Sequence, residues 1–120
     1  MAVKMQTKYG EIDINDAAIA TVVGKATTQN YGVVGMASKN QLRDGIQEIL
    51  NRENYARGVV VLNEDDVIVI NVYIMVNYGT KISEICRNVQ SSVKFELEHV
   101  LGLTANIVNV YVQGIRMIED

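Results

Sequence analysis

The run "VIVINVYIMV", residues 67–76, most restricts how this chain can fold. It is rich in β-branched side chains, which favour an extended strand. It is also far shorter than the roughly 20 apolar residues that a bilayer-spanning helix needs. Because side chains alternate along a strand, one face is wholly aliphatic and is predicted to face the core: Ile68, Ile70, Val72, Ile74 and Val76. The opposite face carries Val67, Val69, Asn71, Tyr73, Met75 and Asn77.

This long strand is predicted to be the second arm of a β-hairpin. The segment "RGVVVL", residues 57–62, precedes it, and the polar run "NEDD", residues 63–66, separates the two. Further strands are predicted over residues 6–14, 31–37 and 106–114, where the residues alternate or are rich in valine. The last of these strands is expected to point three side chains at the core, namely Val108, Val110 and Val112.

Apolar residues at helical spacing predict three helices. The first covers residues 16–29, with Asn15 as its N-cap. The second follows Ser38, and its apolar stripe is Leu42, Ile46, Ile49 and Leu50. The third covers about residues 81–101, with Thr80 as N-cap and Gly102 as the left-handed residue after its end. Its stripe is Ile82, Ile85, Cys86, Val89, Val93, Leu97, Val100 and Leu101.

The resulting order is β-α-β-α-β-β-α-β, which predicts an α+β, two-layer fold with one mixed β-sheet covered by helices. We expect residues 1–120 to form a single domain. The net charge is −3, so the chain as a whole is not expected to bind DNA or anionic lipid. With a single cysteine, the chain cannot form an internal disulfide, and a reducing, cytoplasmic compartment is the simplest expectation.

The sequence "GVVG", residues 32–35, leaves two interpretations open. A Gly-x-x-Gly loop between two helices is the RNA-clamping element of KH domains, and Gly32 and Gly35 do lie between two predicted helices. Val33 and Val34, however, are apolar and β-branched, which favours a buried strand. We favour the second interpretation, in which the glycines allow a covering helix to approach the backbone closely.

The residue types that perform chemistry do not form a recognisable catalytic set. His99 is the only histidine, and Ser91 and Ser92 are too far along the same predicted helix to contact it. Cys86 lies within an apolar stripe, as a small buried side chain does. The acidic run at residues 64–66 lacks the spacing of an EF-hand. The sequence therefore predicts no enzyme, no cofactor and no metal site.

A repeated "NVY" is the more informative pattern. Asn71 and Tyr73 share the face of the long strand that points away from the core, and Asn109 and Tyr111 are placed likewise on the last strand. If both strands lie in one sheet, the repeats mark one surface, which is either a half-solvated sheet face or a protein-interaction surface. The candidate residues are Asn71, Tyr73, Met75, Asn109, Tyr111 and Gln113.

The start of the third helix is a weaker candidate. Gly79, Thr80 and Lys81 precede it, and the backbone N–H groups of a helix start can hold an anion. A capped corner between a strand and a helix is the alternative explanation for these residues.

Several strings occur in this order: "KYGEIDI", "YGVVGMASKN", "VNYGTKISEICRNVQSSVK", "GL" at residues 102–103 and "VNVYVQGIR". Together they resemble the alkaline-shock protein family, also called the envelope stress response family, of Gram-positive bacteria. The match covers roughly residues 6–117, and the chain is similar to short, minimal members of that family, which lack the charged tails of many relatives.

The resemblance implies a non-enzymatic cytoplasmic protein with a role in cell-envelope stress and homeostasis. It implies binding to other proteins and self-association into a homo-oligomer. The implied partners are a membrane-anchored protein, which would recruit the chain to the inner face of the membrane, or an enzyme of lipid metabolism. The family brings no catalytic residues that could be transferred to this sequence.

Overall fold

The computed structural model of the chain describes residues 2–39 and 49–117. Its strands are β1 (Ala2–Thr7), β2 (Gly10–Asn15), β3 (Val33–Ala37), β4 (Ile49–Leu50), β5 (Val59–Glu64), β6 (Val67–Asn77) and β7 (Ile107–Arg116). Its helices are α1 (Asp16–Thr28), a 3₁₀ helix (Arg52–Gly58) and α2 (Ile82–Glu96), which continues as one π-helical turn (Leu97–Leu101). The predicted α+β class, with a mixed sheet and helices packed on it, is confirmed.

β6 organises the main sheet because it pairs along both of its edges. β7 runs parallel to it along one edge. The other edge is shared by two antiparallel strands, with β5 along the first half of β6 and β3 along the second. The predicted hairpin of β5 and β6 is present, and it closes through Asp65 and Asp66. Both have positive φ angles, 51° and 65°, as a type I′ turn requires.

The predicted core face of β6 is buried under the two helices. Ile70, Val72, Ile74 and Val76 have no exposed surface. The helix side chains in the same cluster include Ile19 and Val23 of α1 and Ile85, Val89 and Val93 of α2. Full burial of one such side chain contributes about 1.5–3 kcal/mol, so this layer is the main source of stability and fixes which face of the sheet stays uncovered.

Helix α1 begins as predicted, because the side-chain oxygen of Asn15 accepts a hydrogen bond from the N–H of Ala18 at 2.9 Å. Gly24, in the middle of this helix, is a contact point. The ring of Tyr55, from the 3₁₀ helix, occupies the space that a β-carbon on Gly24 would need. A residue that lowers helix propensity therefore allows two elements to pack together.

The prediction of one strand over residues 6–14 was wrong, because that segment belongs to a separate hairpin. β1 and β2 pair antiparallel with Thr7 opposite Gly10, which leaves Lys8 and Tyr9 as the turn. Gly10 has a φ of 138°, and the Thr7 hydroxyl donates to its carbonyl at 3.1 Å. The two strands form a sheet of their own, so the prediction of a single sheet was also wrong.

Most of the second predicted helix, with Leu42 and Ile46, lies outside the described residues. Its last two residues are described, and there the prediction was wrong. Ile49 and Leu50 form β4, in which Leu50 pairs with Met36 and Ile49 with Ala37 of β3. Their apolar side chains suit an edge strand beside β3 as well as a helix stripe, and this tertiary pairing decides between the two.

Helix α2 differs from its prediction at both ends. Lys81 is the N-cap residue and makes no capping side-chain bond, while the Thr80 hydroxyl donates to the carbonyl of Asn77 at 3.1 Å. At the other end, the π-helical turn changes the direction of the side chains. Val100, predicted to lie in the buried stripe, is therefore 56% exposed. Gly102 ends the helix as predicted, with a φ of 70°.

Candidate interaction surface

The two Asn-Val-Tyr repeats lie side by side in the structure. The parallel register places Asn71 beside Asn109 and Tyr73 beside Tyr111. The side-chain N–H of Asn109 donates to the side-chain oxygen of Asn71 at 2.9 Å. The two tyrosine rings stack, with centroids 4.9 Å apart and planes 19° from parallel. The fold therefore brings both repeats together on one face of one sheet, the face opposite the helices.

We call this surface the open face. Its members are Val60, Leu62 and Glu64 of β5, Val67, Val69, Asn71, Tyr73 and Met75 of β6, and Ile107, Asn109 and Tyr111 of β7. Four of its large side chains are well exposed: Val67 at 40%, Leu62 at 41%, Tyr111 at 42% and Ile107 at 47%. Contiguous exposed apolar side chains of this kind are typical of interaction sites.

The sequence predicts the Asn–Tyr pairs of this face but not Leu62 and Ile107. Both side chains flank Val69, since Leu62 pairs with it from β5 and Ile107 from β7. Their position therefore depends on the pairing of three strands, which the sequence does not state. The available signal was the period of two, because Ile107 lies two residues before Asn109 and so shares its face.

Met75 and Gln113, also predicted for this surface, mark its end rather than its centre. Met75 is only 8% exposed. The register shifts next to it, with Val112 opposite Ile74 but Gly114 opposite Met75. Gln113 is thus the extra residue of a β-bulge, a feature that bends a strand and ends regular pairing.

The Gly-x-x-Gly segment is packed rather than presented to a ligand. Val33 and Val34 are half-buried in β3. A β-carbon on Gly32 would lie 2.5 Å from Cδ1 of Ile85, so α2 approaches this backbone closely, as predicted. Gly35 approaches a strand instead, because a β-carbon there would lie 2.6 Å from Cγ2 of Ile49 in β4. The exposed clamp loop that the KH interpretation requires is absent from this segment.

The other predicted candidate, the start of α2, forms a corner between a strand and a helix. Gly79 has a φ of 103°, and the Thr80 hydroxyl is engaged with Asn77. Glu84 lies in the first helical turn, where its carboxylate opposes the binding of an anion at the helix start. These groups make the turn, and anion binding at Gly79, Thr80 and Lys81 stays a prediction.

The groups with reactive potential are also in ordinary settings. Burial raises the pKa of the Cys86 thiol, and the neighbouring Arg87 offsets this only in part. The thiol is therefore less ionised than a free cysteine at neutral pH. His99 is exposed and stacks on Phe95, with ring centroids 5.0 Å apart. Within residues 2–39 and 49–117, no group of three metal-ligating side chains comes together.

Comparison with known proteins decides the family. A family model described as having a cell envelope-related function matches residues 4–117. The chain belongs to the alkaline-shock protein family. Membership confirms the resemblance drawn from the sequence strings and supplies the coarse function, a role related to the cell envelope.

Three curated members of the alkaline-shock family illustrate the similarity. The chain is 52% identical to the uncharacterized protein YloU of Bacillus subtilis (strain 168), over 98% of each chain. It is 53% identical to the uncharacterized protein Spy1614 of Streptococcus pyogenes serotype M6, over 100% of this chain and 99% of that one. It is 29% identical to the uncharacterized protein YqhY of B. subtilis, over 92% of this chain and 80% of that one. No solved structure matches the chain significantly.

The description of the family names the cell envelope and no catalytic activity. Among the helices of the described residues, none is both long and apolar enough to cross a membrane. The surface that remains to be explained is the open face.

Proposed function

We propose that this alkaline-shock family member is a non-enzymatic scaffold of cell-envelope stress response and homeostasis, and that it binds other proteins through the open face. The observation that carries the proposal is the in-register pair of Asn-Val-Tyr repeats. Exposed aliphatic side chains continue the same face toward the start of β6, where Leu62 and Ile107 flank Val69 and Val67 follows.

The open face is suited to binding because its central side chains are already ordered. Stacking holds Tyr73 and Tyr111 against each other. Binding of a partner would therefore cost little conformational entropy at these two side chains. Tyrosine is also enriched at the centres of protein interfaces. The hydrogen bond between Asn71 and Asn109 uses one N–H and one oxygen. The remaining donors and acceptors of the two side chains would form directional hydrogen bonds with the partner.

The proposed partners are a membrane-anchored protein or an enzyme of lipid metabolism, together with further copies of this chain. Through an anchored partner, a cytoplasmic protein whose described residues include no spanning helix would be held at the inner face of the membrane. The cell envelope-related description of the family supports this setting.

A photo-crosslinking amino acid placed at Leu62, in cells, tests the proposal. We expect adducts that contain a membrane-anchored protein or a lipid-metabolism enzyme, identified by mass spectrometry. The control is the same amino acid at Asn88, which is exposed on α2, and it should give no such adduct.

Substitutions at Tyr73 complete this test. Tyr73→Glu should abolish the adducts at Leu62, because it puts a charge into the stacked pair, whereas Tyr73→Phe should keep them. Circular dichroism has to show that both variants are folded. Equal adducts from Leu62 and Asn88, or adducts that survive Tyr73→Glu in a folded protein, would refute binding through the open face.

A further inference from the structure

The outer edge of β7 is a long strand edge that no other described strand covers. β7 covers Ile107–Arg116, and its only strand partner is β6. Unpaired backbone N–H and C=O groups along such an edge are a ready template for another strand. One of these groups is engaged in another way, because the side-chain amide of Gln90 donates to the carbonyl of Val108 at 2.9 Å. That contact lies near the start of β7, before residues 109–113.

This edge also lacks most of the features that keep strand edges from pairing. Natural edges are usually short, charged, interrupted by proline or covered. Residues 107–115 contain no charged side chain and no proline. By contrast, β5 is shorter and ends in Glu64, and the outer edge of β3 is paired with β4. Two protective features do lie near the end of β7: the bulge at Gln113, which marks where regular pairing would end, and the charged Arg116.

The sequence of this edge is self-complementary. Residues 109–113 read Asn-Val-Tyr-Val-Gln, which is nearly a palindrome centred on Tyr111. In an antiparallel pair related by a two-fold axis at Tyr111, Tyr111 faces Tyr111 of the second copy, Val110 faces Val112, and Asn109 faces Gln113. Every side chain thus meets one of its own kind, as an interface between identical surfaces requires.

We propose that two copies of this protein pair antiparallel through β7, with the two-fold axis at Tyr111. Strands paired in this way keep the same face on the same side, so the two open faces become one continuous surface. The stacked pair of Tyr73 and Tyr111 then meets the equivalent pair of the second copy at the centre. This inference rests on the proposed function only in that the enlarged surface is the one proposed to bind partners.

Disulfide trapping tests the register, in a Cys86→Ser background so that each variant has one thiol. Tyr111→Cys should give an oxidised band at twice the monomer mass of 13.3 kDa. Directly opposed residues of antiparallel strands have Cα atoms about 4.5–5.5 Å apart, within the range of a disulfide. Asn109→Cys alone should give no disulfide-linked band, because the two copies of residue 109 are then about 13 Å apart along the strands.

A mixture of Asn109→Cys and Gln113→Cys keeps Tyr111 and should give the mixed dimer, while neither variant alone does so. Sedimentation of the unmodified chain should show a dimer, and circular dichroism should show native structure in each variant. A monomer by sedimentation, or a link of Asn109 to itself that exceeds the mixed link, overturns the proposal. Adducts at Leu62 in a monomeric protein would refute the edge pairing alone, whereas a trapped dimer without such adducts would refute only the proposed partner binding.

Discussion

Two glycines with similar backbone angles differ in the atoms that surround their α-carbons. Gly32 and Gly79 have φ angles of 91° and 103°, in a region that L side chains rarely occupy. A β-carbon on Gly79 would point into open space, whereas one on Gly32 would meet Ile85 of α2. At the scale of the residue, Gly32, the first glycine of "GVVG", is therefore required both by its positive φ angle and by its close contact with Ile85.

Substitution of the two glycines separates these effects. Gly79→Ala should lower the free energy of unfolding by about 1–3 kcal/mol, the usual cost of a strained backbone angle. Gly32→Ala should lower it further, because Ile85 also has to move within a close-packed core. Urea unfolding followed by circular dichroism measures both. Equal losses in the two variants would show that the contact with Ile85 does not contribute.

At the scale of the element, the contact between Gly24 and Tyr55 joins α1 to the 3₁₀ helix. The ring of Tyr55 lies against the backbone of Gly24, and Tyr55 is partly buried against the core. Alanine stabilises a helix interior by about 1 kcal/mol relative to glycine. Helix propensity therefore favours alanine at position 24, whereas packing against Tyr55 favours glycine. We expect packing to decide, because a ring held between two elements cannot move as freely as the end of a flexible side chain.

A double-mutant cycle checks this expectation. Gly24→Ala should lower the free energy of unfolding by about 1–3 kcal/mol, the usual cost of overpacking. In a Tyr55→Ala background, where the ring is gone, the same change should be neutral or stabilising by up to about 1 kcal/mol. A loss of the same sign and size in both backgrounds would mean that the ring is not the cause.

The same elements show what the sequence could predict. β6 and the cap of α1 were predictable because a period of two and a capping asparagine depend only on neighbouring residues. The β1–β2 hairpin was missed because its turn has no Asn-Gly or Asp-Gly pair, and Gly10 was read as part of a strand. The open face was half predicted. The Asn–Tyr repeats are visible in the chain, but Leu62 and Ile107 join them only through the pairing of strands distant in sequence.

At the scale of the whole molecule, the main sheet and the N-terminal hairpin differ in how many hydrogen-bonded neighbours and core contacts their strands have. β6 is hydrogen-bonded along both edges, and four of the five side chains on its core face have no exposed surface. Among the described strands, β1 and β2 pair only with each other. The base of the hairpin is anchored, since Val3 lies in the core, but Tyr9 at its tip is 89% exposed. Local openings should therefore begin at that tip and spread toward the base.

Native-state hydrogen exchange, resolved by residue, measures this order. We expect the amides of Thr7 to Gly10 to exchange first, the base of the hairpin next, and those of β6 only on global unfolding. The amides of β6 should follow the free energy of unfolding as urea is added, while those at the tip should not respond. If the tip and β6 exchanged together across the whole urea range, the hairpin would be part of the same cooperative unit as the sheet. The pairing of β1 with β2 alone argues against that outcome.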